Sequence, residues 1–228
     1  VSGWVWDGND GLHYQLTRRG INEVGRVNLD GSHRVVATGL GGESLGRPYA
    51  SGSFSVESGL LVVTRGSATR PADLVALSDG TEIQLTTLNE DLLGHKALGQ
   101  VQEITYESEI DGEEIQGWYL TPPDYDPSRG YPLILEIHGG PHSAYGPHFS
   151  AELQRMAAAG YVVFFNNHRG STSYGERFAL LLQNKYCSEY DFSDHMSGID
   201  ALIAQGIADP NRLYITGGSA GGIAAAYA

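Results

Sequence analysis

The sequence predicts a chain of two parts, an all-β region followed by an α/β region built on a parallel sheet. Residues 1–100 consist of short β-type runs separated by turn residues. From about residue 101, apolar runs alternate with segments of helical period. Strand–helix alternation of this kind implies a parallel sheet with helices on both faces. We therefore expect one domain over residues 1–100 and another over residues 101–228.

The composition favours a soluble protein and argues against nucleic acids and membranes as partners. Of the 228 residues 41% are hydrophobic, and 27 acidic against 14 basic side chains give a formal charge of −13. A chain of this composition is expected to be soluble, and its acidic surface repels both nucleic-acid phosphates and anionic lipids. The single Cys187 rules out an internal disulfide and a cysteine-based zinc site, and it leaves the cytoplasm and the periplasm equally open.

Both ends of the chain fall within predicted elements. The first residues, around Trp4–Trp6, are already strand-like and do not have the pattern of a signal peptide. The last residues, Ile223–Tyr227, have the composition of a helix. We therefore expect the sequence to be a piece of a longer protein.

In the first region, two Asp-Gly pairs predict tight hairpins. Asp30-Gly31 and Asp79-Gly80 each lie between alternating apolar residues, and glycine adopts the positive φ that such turns require. The pairs are 49 residues apart, close to the ~40–50-residue repeat of a four-stranded propeller blade. The run Gly59–Thr64 between them predicts an inner strand. We favour the last blades of a β-propeller over a sandwich.

The second region opens with a hairpin and a proline-rich linker over residues 121–127, after which strands and helices alternate. Nearly continuous apolar runs predict strands buried on both faces, and each predicted helix is followed by a glycine that ends it. In chain order the predicted elements are strand Pro132–Ile137, helix Ser150–Ala159, strand Tyr161–Phe165, helix Phe192–Gln205 and strand Leu213–Thr216.

The clearest chemical signal is Gly217-Gly218-Ser219-Ala220-Gly221, which fits G-x-S-x-G. It follows a predicted buried strand and precedes a helix of small residues, the context of a nucleophile elbow. A strained strand-to-helix turn presents the serine Oγ clear of the sheet edge, where helix N–H groups favour negative charge. We predict Ser219 as the nucleophile, although an ordinary glycine-rich or phosphate-binding turn has a similar pattern.

A second signal, His138-Gly139-Gly140-Pro141, follows the first apolar strand of the α/β region. Acyl transfer needs two N–H donors for the oxyanion of the tetrahedral intermediate. One is normally the residue after the nucleophile, here Ala220, and the other comes from a glycine-containing loop after an earlier strand. We therefore predict the backbone N–H groups of Gly140 and Ala220 as the oxyanion hole.

Taken together, these segments resemble the prolyl oligopeptidase family of serine peptidases, especially its bacterial acylaminoacyl-peptidase and dipeptidyl-peptidase-like branch. The similarity extends from about residue 70 to the end. It is carried by the segments Pro71–Leu74, Gln84–Asn89, Ile115–Trp118, Tyr131–Ile134, His138–His142, Arg169–Gly175, Asp209–Leu213 and Gly217–Gly222.

The resemblance implies an α/β-hydrolase domain, present here from its N-terminal part through the nucleophile elbow, preceded by the last blades of a β-propeller. It implies a serine peptidase acting on short peptides through an acyl-enzyme on Ser219, without a cofactor. Members of the family often form dimers or larger assemblies, which makes a homo-oligomer possible. Two departures stand out: Ala220 replaces a bulky aromatic residue, and residues 185–190 lack the family's glycine-rich pattern.

The base that activates Ser219 is not evident in this sequence. In α/β-hydrolases the triad acid and histidine follow the serine, so both are expected downstream, in the remainder of the same protein. Asp191, Asp194 and Asp200 are predicted as caps or structural carboxylates. By spacing alone His138, His142 and His148 fit a zinc site, but the oxyanion-loop interpretation is preferred. An esterase of the same fold and a non-catalytic binding protein remain alternatives.

Overall fold

The computed structural model describes residues 1–78 and 80–228, which form two compact units. The first unit comprises residues 1–96 together with 148–150, and the second comprises residues 97–147 and 151–228. None of the helices in the described residues has the length and apolar character needed to cross a membrane.

The first unit is built from two antiparallel four-stranded meanders. Their strands are β1 (Gly3–Asp7), β2 (Gly11–Arg18), β3 (Ile21–Asn28) and β4 (His33–Leu40), then β5 (Phe54–Glu57), β6 (Leu60–Ser67), β7 (Arg70–Ser78) and β8 (Thr81–Gln84). In the described part of the chain, one pair of strand-ladder partners, Leu40 with Arg65, connects the two meanders. Inward-facing side chains of both form one apolar core: Val24, Ala37, Leu40, Leu61, Val63 and Val75.

The hairpin predicted at Asp30-Gly31 is confirmed. Gly31 has a φ of 84°, and the Asp30 carboxylate accepts the N–H of Ser32 at 2.9 Å. The second predicted turn contains Asp79, which lies outside the described residues, although β7 and β8 pair in antiparallel fashion. The prediction that this region contains no helix is wrong at one place: a single turn, α1 (Glu90–Leu93), which is too short to show a helical period.

The second unit is a five-stranded sheet with helices between its parallel strands. Its elements are β9 (Val101–Glu107), β10 (Glu114–Leu120), β11 (Tyr131–Ile137), α2 (Ala151–Ala158), β12 (Val162–Asn167), α3 (Glu176–Leu180), α4 (Glu189–Ala204), β13 (Ala208–Gly217) and α5 (Ala220–Tyr227). The strand order is β13-β11-β12-β10-β9. β11 runs parallel to both β12 and β13, while β10 pairs antiparallel with β9 and β12.

The predicted glycine stops are confirmed for α2 and α4. Gly160 and Gly206 follow these helices with φ of 92° and 75°, values at which an L side chain would be strained. After α4, the N–H of Ile207 donates to the carbonyl of Leu202 at 3.0 Å, which closes the last turn as in a Schellman motif.

The start of α4 differs from the prediction. The helix begins at Glu189, three residues before the predicted Phe192, because Ser188 and Asp191 form a capping box. The Asp191 carboxylate accepts the N–H of Ser188 at 2.8 Å, and the Ser188 hydroxyl accepts the N–H of Tyr190 at 3.3 Å. Polar capping residues extend this helix beyond its apolar stripe.

The prediction that Leu213–Thr216 is a buried strand is wrong. Within the described residues, β13 is the edge strand of the sheet and pairs only with β11. Leu213, Tyr214 and Ile215 are 37%, 51% and 38% exposed. An apolar run predicts burial only when layers cover both faces of the strand, and no such cover lies on β13 in the described residues.

Candidate active site

Three connections leave the carboxyl ends of the parallel strands and meet at one edge of the sheet. The first follows β11 and carries His138 and Gly140, the second follows β12 from residue 168, and the third joins β13 to α5. Ile137 pairs with Gly217, so the Gly140 loop and the Ser219 turn begin on neighbouring strands. This edge is where open α/β sheets bind ligands.

Ser219 occupies a strained turn between β13 and α5. Its φ of 57° and ψ of −121° lie outside the regions that non-glycine residues favour, and such strain costs about 1–3 kcal/mol. Ser219 is the N-terminal flanking residue of α5, and it is exposed whereas Ala220 beside it is buried. The turn therefore presents the hydroxyl at the sheet edge, as a nucleophile elbow requires.

The flanking glycines are needed because backbone lies where their side chains would be. A Cβ at Gly221 would lie 2.0 Å from the carbonyl oxygen of Ile137. A Cβ at Gly217 would lie 2.5 Å from the carbonyl oxygen of Gly221 and 2.9 Å from that of Ile137. Real Cβ atoms do not approach backbone this closely, so the G-x-S-x-G pattern has a steric cause here.

The two predicted oxyanion donors lie in the two loops that meet at this edge. Ala220 is the first residue of α5, where N–H groups have no intrahelical acceptor and the helix dipole is positive. Gly140 has a φ of 127°, and a Cβ there would lie 2.7 Å from the amide nitrogen of His142. Glycine at position 140 is therefore required by conformation as well as by space.

Sequence reasoning did not identify Tyr186, whose hydroxyl donates a hydrogen bond to the carbonyl of Ala220. Burial raises the pKa of Tyr186 to about 12, so its hydroxyl keeps its proton at neutral pH. Tyr186 lies in the segment that departs from the family pattern. The contact joins residues 34 positions apart, and no local signal predicts it.

A row of three buried histidines lies behind the Gly140 loop. The rings of His138 and His168 have centroids 4.6 Å apart, and those of His168 and His195 are 4.8 Å apart. Burial lowers the pKa of His138 to about 4 and that of His195 to about 3, and it lowers the pKa of His168 well below its usual value. All three rings are therefore neutral at pH 7.

The zinc alternative finds no support in the described residues, where no group of three potential ligands is close enough to hold a metal ion. His138 lies 2.8 Å from the carbonyl of Gly139 and 2.9 Å from the hydroxyl of Ser171. His148 belongs to the first unit, where its Nε2 lies 3.1 Å from the carbonyl oxygen of Gly20. Both rings are thus committed to structural contacts.

The buried histidines predict acid sensitivity. Their folded-state pKa values lie below the unfolded value of about 6.5, so the unfolded chain binds more protons as pH falls through that value. Stability is fully present above about pH 6.5 and falls towards the folded-state pKa values. From pH 6.5 to 5, His138 and His195 together are expected to lower the free energy of unfolding by about 3 kcal/mol.

Urea denaturation at pH 6.5 and pH 5, followed by fluorescence of the buried Trp118, measures this change. His195→Gln should reduce the pH dependence, whereas His95→Gln, at an exposed position, should leave it unchanged. Equal pH dependence in the wild type and both variants would contradict the assignment.

Comparison with known proteins identifies the relatives of this chain. The sequence profile described as the prolyl oligopeptidase family matches residues 147–228. An uncharacterized peptidase of Bacillus subtilis, YuxL, is 39% identical over 155 residues, which cover 67% of this chain and 23% of YuxL. Dipeptidyl-peptidase 5 of Porphyromonas endodontalis is 30% identical over 174 residues, which cover 74% of this chain and 25% of that protein.

The fold has a close counterpart among solved structures. The acylaminoacyl peptidase of Pyrococcus horikoshii superposes over all of this chain with a TM-score of 0.84 and 30% identity. The match covers 35% of that protein. The chain thus spans about a quarter of the length of the two curated relatives and about a third of that solved structure.

Proposed function

The chain belongs to the prolyl oligopeptidase family, and from this we propose that it is the nucleophile-bearing part of a serine peptidase that hydrolyses short peptides. The observation that carries the proposal is Ser219, held exposed on a strained turn whose backbone leaves room only for glycine at positions 217 and 221. Three relatives described above are named as peptidases, which supports the same reaction class.

The proposed chemistry is acyl transfer to Ser219. Its Oγ attacks the carbonyl carbon of the scissile amide while a histidine takes the hydroxyl proton. The N–H groups of Gly140 and Ala220 then stabilise the negative oxygen of the tetrahedral intermediate. Breakage of the C–N bond returns the proton to the leaving amine and leaves an ester on Ser219. Water hydrolyses that ester by the same steps and releases the acid.

The triad acid and histidine are proposed to come from downstream residues of the same protein. His138 and His195 are buried and do not serve as the base for Ser219 here, because each is hydrogen-bonded elsewhere. His138 contacts the carbonyl of Gly139, and His195 contacts the side chain of Asn166. Asp191 caps α4, Asp194 is paired with Arg169, and Asp200 is exposed on α4. These contacts support the structural roles predicted for the three carboxylates.

Residues 1–100 are proposed to form the last blades of a β-propeller, and residues 101–228 the N-terminal part of an α/β-hydrolase domain. Two successive four-stranded antiparallel meanders support the first assignment. The parallel strands β11, β12 and β13, with the serine turn after β13, support the second. The relatives' names favour dipeptidyl-peptidase and acylaminoacyl-peptidase substrates, and aminopeptidase substrates are a third candidate.

Labelling with a fluorophosphonate tests this proposal in the full-length protein that carries this chain. We expect one labelled serine, Ser219, and hydrolysis of aminoacyl, dipeptidyl or N-acetyl-aminoacyl anilides. Ser219→Ala should abolish labelling and lower kcat by at least about a thousandfold. Ser128→Ala, in an exposed loop, should change neither.

Failure of the wild-type protein to react at Ser219 would reject the serine-hydrolase mechanism. Hydrolysis of p-nitrophenyl esters without any anilide cleavage would favour the esterase alternative instead.

A further inference from the structure

The N–H proposed as an oxyanion donor belongs to the peptide group between Gly139 and Gly140. That group is planar, and it carries the Gly139 carbonyl oxygen and the Gly140 N–H on opposite edges. A hydrogen bond that fixes the direction of the carbonyl therefore fixes the direction of the N–H. Two glycines impose little conformational preference of their own, so the orientation must come from neighbouring groups.

His138 makes that hydrogen bond. Its Nδ1 lies 2.8 Å from the carbonyl oxygen of Gly139, and the ring is fully buried. A carbonyl oxygen only accepts, so this contact is a hydrogen bond when Nδ1 carries the hydrogen. Because a neutral imidazole has one N–H, Nε2 must then accept, and the Ser171 hydroxyl lies 2.9 Å from it. The lowered pKa of His138, about 4, keeps the ring neutral at pH 7.

A competing arrangement of the same hydrogens would remove the His138 hydrogen bond from this peptide. The Ser171 oxygen also lies 2.6 Å from the carbonyl oxygen of His168. If the hydroxyl donates there, His138 must carry its hydrogen on Nε2 to keep the Ser171 contact. The Gly139 carbonyl then has no donor in the ring. Three short contacts share two hydrogens, so the tautomer of His138 decides whether the ring donates to this peptide.

We propose that His138, as its Nδ1–H tautomer, is a positioning residue that aims the Gly140 N–H at the oxyanion. The inference rests on the proposed function of Ser219. His138 touches no reacting atom, and it acts through the carbonyl of Gly139.

Other contacts brace the loop without touching this peptide, and they supply a control. Nδ1 of His142 lies 2.9 Å from the carbonyl of Gly170, and the N–H of Thr172 donates to the carbonyl of Ser143 at 2.9 Å. His142 thus lies in the same loop as His138, and its Nδ1 also contacts a backbone carbonyl. That carbonyl belongs to Gly170 and not to the peptide that carries the Gly140 N–H. Loss of general bracing is therefore separable from loss of peptide orientation.

Paired substitutions at His138 test the tautomer. In His138→Asn the side-chain amide nitrogen can take the place of Nδ1 and donate to Gly139, whereas in His138→Gln it takes the place of Nε2. In the full-length protein, we expect His138→Gln to lower kcat on the order of a hundredfold, as for loss of an oxyanion donor, with little change in KM. His138→Asn and His142→Gln should each stay within about tenfold of the wild-type kcat.

A peptide aldehyde provides a second readout, because its tetrahedral adduct places an oxygen in the oxyanion hole. His138→Gln should weaken aldehyde binding by the same factor as kcat. Wild-type kcat in His138→Gln, or equal losses in His138→Gln and His142→Gln, would overturn the inference while the serine mechanism stands. A wild-type protein that does not label at Ser219 would instead reject the proposed function.

Discussion

Replacing Gly221 with alanine is expected to abolish the reactivity of Ser219 and to lower the thermal unfolding temperature by several degrees. The new Cβ would lie 2.0 Å from the carbonyl oxygen of Ile137, 2.7 Å from its carbonyl carbon and 2.9 Å from the carbonyl oxygen of His138. All three atoms are backbone, and the two residues lead from β11 into the Gly140 loop. Relief of the clash therefore requires α5 to move away from that strand.

This movement would displace Ser219 and Ala220 from the Gly140 loop. A shift of about 1 Å in a catalytic group can lower the rate on the order of a hundredfold, so kcat/KM should fall by at least that factor. Rates of fluorophosphonate labelling and of anilide hydrolysis measure the loss, and thermal unfolding measures the strain.

Gly222→Ala is the matched control for this prediction. A Cβ at Gly222 would meet only the carbonyl of Gly217, with the oxygen at 3.3 Å and the carbon at 3.9 Å. Alanine also favours a helix over glycine by up to about 1 kcal/mol, so this variant should keep its stability and most of its activity. A Gly221→Ala protein as reactive as Gly222→Ala would contradict the steric explanation of the elbow.

Gly221 and Gly222 are adjacent in the sequence, yet only Gly221 lies against the backbone of Ile137. This difference shows which features of the site the sequence can predict. The pattern around Ser219, with a strand before it and a helix after it, is local and predicts the turn correctly. That Gly221 lies against Ile137 is not local, because 84 residues separate them in the chain. The same limit applies to the contacts of His138 with Ser171 and of Tyr186 with Ala220.

The fold shows the same division between local and long-range information. Helix ends at Gly160 and Gly206 follow from local backbone preferences, and both predictions are confirmed. The predicted burial of Leu213–Thr216 is wrong because hydrophobicity reports what a strand can bury, and not whether a layer covers it. Its position at the edge depends on the strand order.

Replacing Asp194 with asparagine is expected to destabilise the second unit by about 3–5 kcal/mol, the cost of breaking a buried ion pair. Arg169 and Asp194 are 1% and 0% exposed, and the guanidinium contacts the carboxylate at 2.8 Å and 3.0 Å. The same carboxylate accepts the backbone N–H of Arg169 at 2.8 Å. Asparagine removes the negative charge. It has only one acceptor oxygen, so it cannot accept all the hydrogen bonds that Arg169 donates to Asp194.

The direction of the Asp194 pKa shift explains why the loss is expected to be large. Burial raises this pKa, and the hydrogen bonds from Arg169 offset burial only in part. The interactions with Arg169 therefore compensate for only part of the desolvation of the Asp194 carboxylate. Removal of one partner leaves the desolvation of the other without compensation, and that cost appears in the free energy of unfolding.

Asp111→Asn is the matched control, since Asp111 binds the same guanidinium with two contacts of 2.9 Å. Its side chain is 41% exposed, so water can solvate what the substitution uncovers, and the loss should stay near 1 kcal/mol or below. Urea denaturation followed by Trp118 fluorescence compares the two variants. Equal losses would mean that the number of carboxylates around Arg169, and not the burial of Asp194, determines the stability of this cluster.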